Sequence, residues 1–253
     1  MQFVTSQSRR AVSGKCIETI RKMKDYINIK NIDDFNLLLL KAENGDSEAM
    51  NEVSGYYEDG WSYDKIEIVK CDKKLAFYWT KRSYESGNID GMVRYANYLN
   101  DGIYEHCDKD IELAMKLYEK AMNNGSEIAT FNLGIEYRNK QQFEKAFELY
   151  KKADSSENYY AELTVGLCYY YGIGTKKNKL KALEFFKSID KHYNSEYDID
   201  EANYFIGKMY LEGEVVEQSI ETARKYLELA DKDGDHRSAQ ELLLIIGRTR
   251  NIN

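Results

Sequence analysis

Small and apolar residues recur along this chain in one fixed order. Ala129, Leu133, Gly134 and Tyr137 stand at offsets of zero, four, five and eight. The same offsets recover Ala49/Val53/Ser54/Tyr57, Gly91/Tyr95/Ala96/Leu99, Ala161/Val165/Gly166/Tyr169 and Ala202/Ile206/Gly207/Tyr210. Such spacings place all four residues on one face of an α-helix. Each phrase is followed by a second cluster: Ala76/Trp79/Ser83, Ala114/Leu117/Ala121, Ala146/Leu149/Ala153, Ala182/Phe185/Ile189 and Ala223/Tyr226/Ala230. Spacings of three and seven make this a second amphipathic helix. The small residue at the fifth offset removes bulk where the two helices meet, so each pair predicts a closely packed αα-hairpin.

The first small residues, at 49, 91, 129, 161 and 202, are 42, 38, 32 and 41 residues apart. A hairpin repeated at this period predicts a solenoid, in which each unit covers the apolar face of the next. Length variation falls in the turns. Gly60 to Ala76 spans 16 residues, Gly102 to Ala114 spans 12, and Gly172 to Ala182 and Gly213 to Ala223 span 10 each. The third repeat has no such glycine, and Asn139-Lys140-Gln141-Gln142 joins its helices directly. Upstream, Asp33 to Asn44 reads as a lone second helix, and residues 15–28, with Ile17, Ile20, Met23 and Ile27, as its first helix or a cap. Ser238 to Ile246 begins a sixth phrase and stops after one helix. The expected organisation is a flexible tail over 1–14 and a single all-α solenoid domain over 15–246. Within it lie a cap or degenerate repeat (15–46), five repeats (47–235) and a capping helix (236–246), with a tail over 247–253 beyond.

Composition narrows the function. The 253 residues contain no proline, which suits an all-helical chain, and carry 36 basic against 43 acidic side chains. A net charge of −7 provides no general basic field, so neither nucleic acid nor an anionic membrane is an expected partner. The start of the chain has no apolar core like that of a signal peptide, and the longest apolar run, Leu37 to Leu40, is too short to span a bilayer. Cys16, Cys71, Cys107 and Cys168 show no paired spacing, which predicts reduced thiols in a cytoplasmic protein, with no metal and no cofactor.

Candidate chemistry is sparse. Gly172-Ile173-Gly174-Thr175 follows a helix where a phosphate loop follows a strand, and it lacks the rest of that motif. Asp231-Lys232-Asp233-Gly234-Asp235-His236 has its glycine at the fourth position of a would-be calcium loop and Leu242 at the twelfth, so it reads as an inter-repeat turn. His106-Cys107 lies in a loop without a third orienting group, His192 is isolated, and Cys168 sits beside packing positions. No catalytic residue is assigned.

The order Ala-x3-Leu-Gly-x2-Tyr-x2-Gly, then Ala-x2-Trp-x2-Lys-Ala-x3-Gly after a variable loop, resembles the Sel-1-like repeat, a relative of the tetratricopeptide repeat. Ala161 to Gly174 is a near-complete first half, and Ala76 to Gly87 matches the second. The resemblance covers residues 34–246 and implies a right-handed αα superhelix that binds protein or peptide partners in its concave groove. By the same resemblance, groove positions flank the packing residues of the first helices. They place Glu58, Asp59, Asn97 and Asp101 in the first two repeats, an acidic, amide-rich wall. The later repeats contribute Phe131, Ile135, Arg138, Leu163, Leu167, Tyr170 and Tyr171, and the fifth Glu201, Tyr204, Lys208, Leu211 and Glu212. An apolar seat around Phe131, Ile135, Leu163, Leu167, Tyr170 and Tyr204 with an acidic approach fits a partner with apolar anchors and basic flanks. These side chains either bind a ligand or only pack the superhelix.

The long loop from Gly60 to Cys71 is a second candidate. Trp61 and Tyr63 within it either recognise a partner or fold back as a lid. The sequence thus predicts a non-enzymatic adaptor of a bacterial cytoplasm, in a narrower form an inhibitor or immunity-type protein. The alternative of another class is a β-lactam-binding or hydrolysing enzyme of the cysteine-rich Sel-1-like branch. The four unpaired cysteines here count against it.

Overall fold

A computed structural model describes residues 29–102, 108–155, 161–189 and 194–250. The expected segments 1–14 and 15–28, the His106-Cys107 pair, His192 and the last residues, 251–253, lie outside the described residues.

Among the described residues there are twelve helices and one small sheet. Helix α1 (Ile32–Glu43) is the lone second helix upstream of the repeats. Five helix pairs follow: α2 (Ser47–Asp59) with α3 (Lys73–Glu85), α4 (Ile89–Asp101) with α5 (Ile111–Asn123), α6 (Glu127–Asn139) with α7 (Phe143–Asp154), α8 (Glu162–Tyr171) with α9 (Lys179–Ser188), and α10 (Glu196–Glu212) with α11 (Ile220–Ala230). Helix α12 (Arg237–Arg250) ends the described chain. It runs four residues beyond the expected end at 246, because Gly247-Arg248-Thr249-Arg250 holds no proline and one glycine does not stop a helix.

Polar residues placed before each apolar stripe start most of these helices. Asp46, Asp72, Asn88, Asp110, Asn178 and Ser219 cap α2, α3, α4, α5, α9 and α11 by accepting backbone N–H bonds. Asn31 with Asp34, and Ser195 with Asp198, form reciprocal capping boxes at α1 and α10. The second of these starts α10 six residues ahead of the Ala202 phrase, making it the longest helix described.

The chain gathers into two compact units, divided between Glu136 and Tyr137. In the first, α1 to α5 pack in sequence order, and α2 also lies beside α4. Ala49, Val53, Ala96, Ala129 and Leu133 are all buried, as the repeated offsets require. Ser54 and Ser83 replace the usual small apolar residue at two packing positions, and their hydroxyls are satisfied internally. Ser54 Oγ donates to the Ala76 carbonyl at 3.0 Å, and Ser83 Oγ to that of Ser47 at 2.8 Å.

The stretch 60–71, expected as a loop, contains an antiparallel β-hairpin: β1 (Trp61–Tyr63) pairs with β2 (Ile66–Val69). Asp64 and Lys65 turn the chain with φ of 49° and 68°, the positive-φ pair that matches hairpin twist. Trp61 is a lid. Its indole N–H donates to the Ile29 carbonyl at 2.9 Å, and its ring meets Tyr56 edge-on at 5.8 Å over the Phe35/Leu38/Val53 core. Tyr63 remains exposed.

In the second unit α7 to α12 again pack in order, with α8 beside α10 and α10 beside α12. The helix crossing is tightest at the predicted small residues. A Cβ on Gly166 would lie 2.6 Å from Phe186 Cε1, and one on Gly207 would lie 2.9 Å from Leu227 Cγ. The offset-eight tyrosines close each hairpin by stacking on its second helix, Tyr169 on Phe185 at 5.7 Å and Tyr210 on Tyr226 at 5.9 Å. The third repeat turns without glycine as expected, and Gln141 adopts φ of 60° to do so.

Candidate functional site

The candidate groove residues fall in both units. In the first, the expected acidic wall is largely engaged within the fold. The Glu58 carboxylate accepts from the Tyr98 hydroxyl of the next first helix and from Lys73 Nζ at 2.9 Å. Asn97 Oδ1 accepts from the Tyr118 hydroxyl at 2.6 Å and from Asn132 Nδ2 at 3.1 Å. Asp59 and Asp101 are exposed at the last positions of α2 and α4. Phe131 is buried, and Ile135 is half-buried.

In the second unit Arg138 and Leu167 are half-buried, and Leu163 is buried in the core formed with Leu183 and Met209. Tyr170, expected to face a groove, is only 5% exposed. Phe205 from the neighbouring first helix covers its ring at 4.9 Å, and Lys179 Nζ sits 5.0 Å from the ring centroid. Burial and the adjacent Glu212 push its hydroxyl up to about 12, so it stays neutral. Tyr170 is a packing residue.

Its sequence neighbour is different. Tyr171 is 42% exposed and meets Phe205 edge-on at 6.1 Å, while Tyr204, one residue before Phe205, is half-buried. Ionisation of the Tyr171 hydroxyl is opposed first by burial and then by Tyr204, Glu201 and Glu212, which all approach it. Tyr204 stacks on His236 at 5.0 Å, and its own hydroxyl is raised by burial, Glu201 and Glu212.

The charges around this face form two groups. Lys179 Nζ lies 2.9 Å from Glu212 and 2.5 Å from Glu214, and Lys208 Nζ lies 3.8 Å from Glu212. His236 Nδ1 accepts from the Ala239 N–H, which leaves the proton on Nε2, facing Glu201 Oε1 at 3.6 Å. Burial raises the Glu201 carboxyl, and His236 partly offsets the rise. Tyr171, Tyr204, Lys208, Glu201 and Glu212 stand at the expected groove positions of the first helices, whereas Lys179 comes from a second helix and His236 from the turn before α12.

Other candidates resolve plainly. Cys168 is buried, and desolvation raises its thiol to about 12, far from a reactive thiolate. Cys71 is an exposed free thiol whose Sγ donates to the Glu58 carbonyl at 3.2 Å. The Asp231–His236 stretch is a turn, with Asp231 Oδ1 accepting from the His236 N–H at 2.9 Å. Among the described residues no group of three or more His, Cys, Asp or Glu is arranged to hold a metal ion, and no helix is long and apolar enough to cross a membrane.

Five successive helix pairs, each carrying small residues at repeated positions, define a helical-hairpin repeat protein of the tetratricopeptide-like class. Within that class the Sel1 repeat pattern matches residues 47–88, 89–126, 128–153, 160–188 and 200–235, and the chain belongs to the Sel1 repeat family. It is 27% identical over 215 residues to the Sel1-repeat-containing protein YjcO of Escherichia coli K12, covering 80% of this chain and 86% of that protein. Among solved structures it resembles c5321, a protective antigen of uropathogenic E. coli with an SLR fold, at a TM-score of 0.68 and 24% identity. That alignment covers 85% of this chain and 44% of c5321, so the chain spans less than half of that molecule. The immunity protein Pa5087 of Pseudomonas aeruginosa is similar in fold at a TM-score of 0.51 and 16% identity, over 92% of this chain and 84% of that one.

Proposed function

We propose that this chain is a non-catalytic binding scaffold of the cytoplasm that holds a protein or peptide partner along its first helices. Sel1 repeats generally mediate protein–protein interaction. The observation that carries the reading for this chain is the pair Tyr171 and Tyr204. Both are aromatic side chains on neighbouring first helices that the packing leaves partly open, while their sequence neighbours Tyr170 and Phe205 are buried in the core. Aromatic side chains of this kind anchor protein interfaces because they bury much area at small entropic cost.

The narrower reading, an inhibitor that covers a partner's functional surface, draws on the carboxylates of α10 and on the expectation of a basic partner. The likeness to Pa5087 is one of fold and adds no function to it. An enzyme of the cysteine-rich branch has less support, since Cys71 and Cys168 are both free thiols. The test is capture of partners from the source cell on the full chain and on its Tyr171→Ala variant, with circular dichroism confirming equal helicity. A partner retained in stoichiometric amount by the native chain and lost by the variant is the expected result. Equal retention by both removes this face from the function.

A further inference from the structure

Resting on the scaffold reading, a polar strip on the first helices of the first unit narrows the chemistry of the partner. Asn51 on α2, Arg94 and Asn97 on α4 and Asn132 on α6 are all half-buried. Arg94 Nε donates to Asn51 Oδ1 at 3.3 Å, and Asn132 Nδ2 donates to Asn97 Oδ1 at 3.1 Å. These two bonds run across three successive first helices. Arg94 and Asn97, three residues apart, share one face of α4.

The strip holds donors in excess. Asn97 Oδ1 is doubly occupied, because the Tyr118 hydroxyl also donates to it at 2.6 Å, and its Nδ2 is left over. Arg94 commits only the N–H on Nε, so both Nη groups of its fork are unused. Asp90 stands one turn before it, yet among the described residues no carboxylate pairs with Arg94. Acidic side chains outnumber basic ones by 43 to 36, so this arginine does not stand alone for want of acids in the chain. Its Nη atoms and the amide nitrogens of Asn51 and Asn97 reach solvent. An open guanidinium edge between two amide donors matches the paired oxygens of a carboxylate.

We infer that Arg94, with Asn51 and Asn97 beside it, seats a carboxylate of a protein partner, from an Asp or Glu side chain or from a chain terminus. Nucleic acid is disfavoured at the same place, since a single cation on helices that also carry Glu48, Glu52 and Asp90 gives phosphates no basic track.

A random dodecapeptide library displayed on T7 phage, whose inserts end in a free carboxylate, is selected on the full chain to test this. Fluorescence anisotropy gives Kd for the strongest peptide on the native chain, on Arg94→Gln and on Arg94→Lys. The same measurement on the native chain follows two altered peptides, one with its Asp and Glu replaced by Asn and Gln, the other amidated at its C-terminus. Binding should weaken about 10-fold or more on Arg94→Gln, recover in part on Arg94→Lys, and weaken equally for one of the altered peptides. Which of the two weakens tells a side-chain carboxylate from a terminal one. The altered peptides are read on the native chain, so they test the seat even where a variant folds poorly. Peptides bound equally by the native chain and Arg94→Gln, or indifferent to both alterations, would overturn the carboxylate seat while leaving the scaffold reading standing. If no peptide is enriched above the bait-free control, the scaffold reading fails with it.

Discussion

Replacing Gly166 with alanine should destabilise the protein, although alanine is the better helix former. The new Cβ would lie 2.6 Å from Phe186 Cε1, 2.8 Å from its Cδ1 and 3.2 Å from Phe185 Cβ. Carbon atoms in van der Waals contact sit roughly 3.5–4.0 Å apart, so the Phe186 ring would have to retreat by about 1 Å. It has nowhere to go. Phe186 is 2% exposed and lies 5.3 Å from Phe205 in a stacked pair. Overpacking of this kind costs about 1–3 kcal/mol. The helix-propensity gain of alanine over glycine returns at most about 1 kcal/mol. The expected net loss is about 1–2 kcal/mol, read from the midpoint of a urea titration followed by far-UV circular dichroism. Gly247→Ala is the control. Nothing lies within 4 Å of its would-be Cβ, so there the same change should stabilise by up to about 1 kcal/mol. If Gly166→Ala proved as stable as the native chain, the claim that its small residue sets the hairpin spacing would fail.

Three further outcomes follow from local geometry. Trp61→Phe removes the N–H bond to the Ile29 carbonyl and should lower stability by about 1–2 kcal/mol with helicity at room temperature unchanged. An unchanged urea midpoint would show that Trp61 is no lid. Gln141→Gly relieves a left-handed backbone at φ 60° and should raise the urea midpoint by the equivalent of about 0.5–1 kcal/mol, whereas a fall would mean that Gln141 is not strained. Glu162 is half-buried beside Asp154 and Asp198, and burial raises its carboxyl from 4.5 to about 7. The folded chain therefore holds a proton that the unfolded chain has released between those pH values, and stability falls as pH rises through that window. After solvent screening the loss is on the order of 1 kcal/mol. Glu162→Gln should thus exceed the native chain in stability at pH 8 and match it at pH 4, and parallel pH profiles would refute the assignment.

The hairpins were legible because helix crossing imposes a size limit at fixed positions, and a size limit leaves a periodic trace. Gly166 and Gly207 record it in the sequence, and the structure sets each against the second helix of its own hairpin. What the sequence hid depends on partners distant along the chain. Nothing near Tyr170 shows that Phe205, 35 residues on, will cover it, nor that Tyr98 and Lys73 will take up Glu58. The β-hairpin left a weak signal in the alternation of Trp61, Tyr63, Ile66 and Ile68. Its turn, Asp64-Lys65, lacks the glycine that usually announces one. The candidate face was visible only in part, because Lys179 and His236 reach it from outside the first helices.

The central claim is that binding runs through open side chains of the first helices and not through the outer faces of the second. Calorimetric titration of the captured partner tests it on the native chain, on Tyr171→Ala and on Glu148→Ala, the last an exposed residue of second helix α7. A hot-spot loss of about 2 kcal/mol, roughly a 30-fold rise in Kd, is predicted for Tyr171→Ala, with Glu148→Ala unchanged. Unchanged affinity at Tyr171, or a loss at Glu148 instead, would contradict the account.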